Sequence, residues 1–78
     1  MTVRLRFFAM LRERLGTGLD REVRTGTTVG AVWRGVVREH PDVATVGVRF
    51  AVDEAYVEAS HRLEDGDEVA VFPPVSGG

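Results

Sequence analysis

The sequence contains no cysteine. That excludes disulfides, a thiol nucleophile and any thiolate-bound metal. It contains no lysine either, because all 10 basic residues are arginine. Schiff-base chemistry needs a lysine amine, and the Walker-type phosphate loop needs a Gly-Lys pair, so both are excluded. Any ATP chemistry involving this chain therefore calls for ATP bound by another protein. Long apolar runs are also missing, since nothing approaches the roughly 18 consecutive apolar residues of a membrane span. The opening MTVRLRFFAM places arginines inside its apolar run, which argues against a signal peptide. Neither sign of charge dominates. A net charge of −2 with interspersed signs leaves no basic footprint for nucleic acid. Together these absences point to the cytoplasm.

What is present is an ordinary globular balance, with 44% hydrophobic and 28% charged residues. A chain of 78 residues makes one domain with a small core. Val3, Leu5 and Phe7 alternate with Thr2, Arg4, Arg6 and Phe8, which predicts a half-buried strand over residues 2–8. MLRERLG predicts a short helix, with Leu11 and Leu15 on one face and Gly16 as its C-terminal cap. Residues 19–25 read as a weaker strand with Val23 inward, broken by Gly26. Thr27 or Thr28 can cap the next helix with its hydroxyl. Val29, Val32, Trp33, Val36 and Val37 then recur at helical spacing, with Trp33 as the bulky centre of the core. Pro41 ends this helix near His40. A short loop follows. Val48, Phe50 and Val52 alternate, Asp53-Glu54 turns, and Tyr56-Val57 returns. A turn built on Gly66 leads into a last strand, Glu68 to Phe72, with Val69 and Val71 inward. One long helix and a mostly antiparallel sheet can bury each other's apolar faces in two layers.

No residue set makes a self-contained active site. His40 and His61 are far apart and read as surface histidines. Glu64, Asp65, Asp67 and Glu68 lack the spaced ligands and terminal bidentate glutamate of a calcium loop, so a solvated turn is expected. Ser60 and Ser76 sit in no nucleophile elbow. The closing PPVSGG is different. Gly-Gly at a terminus can be simple fraying. Glycine, lacking Cβ, can also thread a channel too narrow for other residues, and its carboxylate is the least hindered acyl group a protein offers. Pro73 and Pro74 favour an extended conformation and cannot donate to a sheet. They end the last strand and aim Val75, Ser76, Gly77 and Gly78 away from the body. Six extended residues reach roughly 20 Å. The pattern suits a carboxylate presented to another protein's active site. Phe8 and Phe72 are out of phase with the core residues of their strands, so both rings are expected on the sheet face away from the helix. Such aromatics mark partner surfaces, and Tyr56 is grouped with them.

FFAMLRERLG, AVDEAYV and LEDGDEVAVFPPVSGG together resemble the MoaD/ThiS family of sulfur carriers, on the branch that serves as the small subunit of molybdopterin synthase. The resemblance runs over essentially the whole chain, and DGDEVAVFPPVSGG is its most specific part. It implies an α+β, ubiquitin-like β-grasp fold. A mixed sheet would pack on one long and one short helix over residues 1–72, and residues 73–78 would form a sulfur-carrying tail. It implies that an E1-like adenylating enzyme (MoeB-type) uses ATP to convert the Gly78 carboxylate into an acyl adenylate. A sulfur donor system would then leave a thiocarboxylate there. Pro73 to Gly77 would thread the tail into the large subunit of molybdopterin synthase (MoaE-type), where cyclic pyranopterin monophosphate takes the sulfur. Phe8, Tyr56 and Phe72 fall where the family docks on its partners, with Tyr56 standing where an aliphatic residue is expected. On this view the chain binds no cofactor or metal and is no enzyme by itself. The same Gly-Gly would also serve a carrier for tRNA thiolation or a ubiquitin-like modifier of target lysines. A plain β-grasp interaction domain is the third alternative.

Overall fold

The computed structural model describes residues 1–74. Strand β1 (Thr2–Phe7) leads to helix α1 (Met10–Leu15), strand β2 (Gly18–Glu22) and helix α2 (Val29–Glu39). A 3-10 turn (Pro41–Val43) precedes strands β3 (Arg49–Val52), β4 (Ala55–Val57) and β5 (Glu68–Phe72). The five strands form one mixed sheet in the order β2-β1-β5-β3-β4. Only the β1–β5 pair is parallel, and it joins the two ends of the described chain at the sheet's centre. Together with α2 across one face, this is the β-grasp arrangement that the resemblance implies.

The alternating pattern sets the layers. Val3, Leu5 and Phe7 of β1, Phe50 and Val52 of β3, and Val69 and Val71 of β5 all point into one core. Val29, Val32, Trp33 and Val36 of α2 close it from the other side. Trp33 sits between Phe7 and Phe50, with ring centroids 6.4 Å from each and both contacts tilted or edge-on. Full burial of such side chains contributes about 1.5–3 kcal/mol each. Thr28, not Thr27, is the N-cap of α2, its hydroxyl accepting from Ala31 N–H at 3.2 Å. The loop after β4 meets two further free amides of that helix end. Val29 and Gly30 N–H donate to the carbonyls of His61 and Ala59, each at 2.9 Å.

Several boundaries differ from the sequence expectation. β1 ends at Phe7, because Ala9 takes φ 53° and turns the chain into α1. β2 runs over Gly18–Glu22 rather than 19–25, since its pairing with β1 closes at Thr2–Glu22 and the Met1–Val23 hydrogen bonds of 2.8 Å just beyond. Val23 therefore lies just past the strand, half-buried against the core. The expected loop after α2 contains the 3-10 turn, which buries Val43 completely. At the start of β2, Gly18 is required by close approach. A Cβ there would lie 2.6 Å from the Leu5 carbonyl oxygen.

Candidate functional site

Strand geometry sends successive side chains to opposite faces. With Phe7, Val52, Val69 and Val71 committed to the core, Arg6, Ala51, Ala70 and Phe72 must face away from α2. The registers then align a row across the outer face. Arg6 pairs with Ala70, Ala70 with Ala51, and Ala51 with Tyr56. Arg49 pairs with Phe72 one step toward the end of β5.

The three aromatics singled out in the sequence come together on this face. Phe8, one residue past β1, stacks on Phe72 with centroids 4.6 Å apart and planes 17° from parallel. Tyr56 meets Phe72 edge-on at 6.3 Å and 67°. These are favourable aromatic geometries. The Arg6 guanidinium lies 5.9 Å from the Phe8 ring centroid, and that of Arg49 6.0 Å from Tyr56. Tyr56 is 70% exposed, the one large hydrophobic side chain that is exposed among the described residues, so the cluster is open to a partner.

Two depressions adjoin the cluster. One, of about 460 Å³, has the small residues Ala51 and Ala70 among its lining, beside Phe8, Tyr56 and Phe72. The other, of about 380 Å³, is lined by Ala9, Arg49 and Phe72 and reaches Pro73 and Pro74. The patch therefore runs to the point where the chain leaves the sheet. Pro73 and Pro74 belong to no strand. Val75, Ser76, Gly77 and Gly78, on which the carrier chemistry of the sequence reading rests, lie outside the described residues.

The other sequence candidates have structural roles. His40 caps α2, its N–H donating to the Val36 and Val37 carbonyls, and His61 is exposed in the loop that meets the N-terminus of α2. Asp65 accepts from Thr2 N–H and Asp67 from Glu64 N–H, both at 2.8 Å, which pins the acidic turn to the start of β1. Among the described residues no three histidine or carboxylate side chains gather as a metal site. No helix there is long and apolar enough to cross a membrane. Glu39, on the opposite side of the sheet, is held below its usual pKa by a hydrogen bond from Arg21 at 2.6 Å. The sequence reading missed Ala9, Ala51 and Ala70 as parts of the patch. The two strand alanines carried a signal, because they alternate with Phe50, Val52, Val69 and Val71.

Comparison with known proteins places this geometry in context. The model of the ThiS family matches residues 5–78. The molybdopterin synthase sulfur carrier subunit of Escherichia coli is 35% identical over 80 residues, covering 97% of this chain and 99% of that one. Small archaeal modifier protein 3 of Haloferax volcanii is 35% identical over 92 residues, with both chains covered completely. Among solved structures, a putative molybdopterin converting factor subunit 1 from Pyrococcus furiosus superposes with TM-score 0.85 and 29% identity. That match covers 96% of this chain and 99% of the other.

Proposed function

The chain belongs to the ThiS family, and from that premise we propose that it is the sulfur carrier subunit of a molybdopterin synthase. The single observation that carries this reading is the Phe8–Tyr56–Phe72 cluster at the root of the tail. One strand, β5, supplies Phe72 to the cluster and continues directly into Pro73. A partner that seats the outer face thus receives the tail at a fixed starting point.

The chemistry follows from what the side chains lack. With no cysteine and no lysine, the chain has neither a thiol to hold sulfur nor a phosphate loop to activate a carboxylate. In the proposed sequence an E1-like partner holds ATP, and a Gly78 carboxylate oxygen attacks its α-phosphate, releasing pyrophosphate. A nucleophilic sulfur from a donor then adds to the acyl carbon and expels AMP. With a persulfide donor this gives an acyl disulfide, and a thiol of the donor system then attacks the donor's sulfur, forming a disulfide with it and releasing the thiocarboxylate on Gly78. The large subunit of the synthase binds the outer face, takes up the tail and supplies the catalytic groups for transfer to the pterin precursor. In this scheme the chain is a non-catalytic, cytoplasmic subunit that binds no cofactor.

The test is intact-mass analysis after co-expression with the adenylating enzyme and sulfur donor of the same genome. The expected product has one oxygen exchanged for sulfur at Gly78. An unchanged mass beside demonstrably active partners would overturn the carrier reading. The likeness to the Haloferax modifier protein favours one second reading, conjugation of Gly78 to lysines of other proteins. A ladder of higher-mass conjugates from the native host would select that reading.

A further inference from the structure

The depression floored by Ala51 and Ala70 has a polarity that the docking reading leaves unexplained. Its walls differ from end to end. Phe8 and Phe72 stand at the end nearer the tail, and Tyr56 forms one side. The opposite end is acidic, because Asp53 and Glu54 occupy the β3–β4 turn and Glu68 begins β5. Val52 pairs with Val69, so Asp53 and Glu68 lie at adjoining strand ends.

Against these three carboxylates the lining holds one cation, Arg6. It is already engaged, 3.5 Å from Glu68 and lying over the Phe8 ring. Among the described residues Asp53 and Glu54 make no ion pair. Like charges at one rim repel each other, and an incoming cation relieves that repulsion. The aromatic walls act in the same direction, because ring faces attract guanidinium and ammonium groups. The small floor leaves room for a side chain to lie flat, its apolar stem along Phe72 and Tyr56 and its charged head at the turn. Long basic side chains are built in that way.

We infer that this depression receives an arginine or lysine side chain of the docking partner. The inference rests on the reading of the outer face as a docking surface and adds the chemistry of what enters it. The two Arg–ring contacts within the chain, on Phe8 and on Tyr56, show that this face accommodates basic groups beside its rings.

The test is calorimetric titration of the molybdopterin synthase large subunit from the same genome with three versions of the full chain: wild type, Phe72→Ala, and the double variant Asp53→Asn/Glu54→Gln. Both substitutions in the double variant keep the side-chain size, and circular dichroism checks its fold. The double variant is expected to bind about tenfold more weakly, in the range of interfacial charge pairs. Its affinity should also fall less steeply with added salt than that of the wild type. If Phe72→Ala weakens binding while the double variant binds as the wild type does at every salt concentration, the face docks but its occupant is not a cation. That overturns the inference alone. If Phe72→Ala changes nothing, the docking surface is wrong and the inference falls with it.

Discussion

Phe72→Ala separates the docking role of the outer face from its contribution to folding. Phe72 is half-buried, and its packing partners on this face are Phe8 and Tyr56, not the residues around Trp33. Truncation removes one stacked and one edge-on ring contact, each worth about 0.5–1.5 kcal/mol. It leaves Val69 and Val71, the core anchors of β5, in place. A stability loss of about 1–2 kcal/mol is expected, against a total of about 4–12 kcal/mol for a domain of this size. The binding loss should be larger in proportion. A central aromatic hot spot costs at least about 2 kcal/mol when truncated, which is about thirtyfold in Kd. Urea unfolding and titration with the synthase large subunit, on the same preparation, measure both quantities. An unchanged Kd would refute the placement of the interface. A stability loss above about 3 kcal/mol, with weakened binding, would mean that Phe72 acts through the core and that the separation drawn here is wrong.

Three further outcomes follow from local geometry. Gly18→Ala sets a Cβ 2.6 Å from the Leu5 carbonyl oxygen, backbone that the β1–β2 pairing holds in place, so denaturant unfolding should show a loss of about 1–3 kcal/mol. Ala9→Gly should raise stability by about 1 kcal/mol in the same assay, because Ala9 holds φ 53° and ψ −132°, a conformation that costs any residue with a Cβ. Glu39, with its pKa lowered by the Arg21 hydrogen bond, contributes stability above the ordinary carboxylate range and loses it as pH falls through its folded value. Arg21→Ala should therefore flatten the acid side of the melting-temperature profile, and a profile parallel to the wild type would refute the assignment.

The layers were legible because the strands keep period two and α2 keeps its helical spacing. Val3, Leu5, Phe7, Val69 and Val71 announce one buried face, and Val29 to Val36 supply its cover. Strand ends were less legible because partners set them. The β1–β2 ladder closes with the Met1–Val23 hydrogen bonds, and that limit is a property of the pair. The 3-10 turn was hidden for another reason. Pro41 signals the end of α2, but the burial of Val43 comes from tertiary packing.

The candidate site divides in the same way. That Phe8 and Phe72 face outward follows from phase alone. That they stack follows from the parallel pairing of β1 with β5, a contact between residues more than sixty positions apart that no local pattern encodes. This pairing also has a mechanical consequence. β5 is bonded to β1 on one side and β3 on the other, so Phe72 is fixed relative to both other aromatics. A partner that seats the aromatic cluster has thereby fixed where Pro73 begins. Six residues from Pro73 to Gly78 span at most roughly 20 Å when extended. On the carrier reading, every partner must hold its reacting centre within that radius of the docked Phe72. The adenylating enzyme and the synthase large subunit, whatever their folds, would then share one distance between an aromatic-accepting surface and an active site.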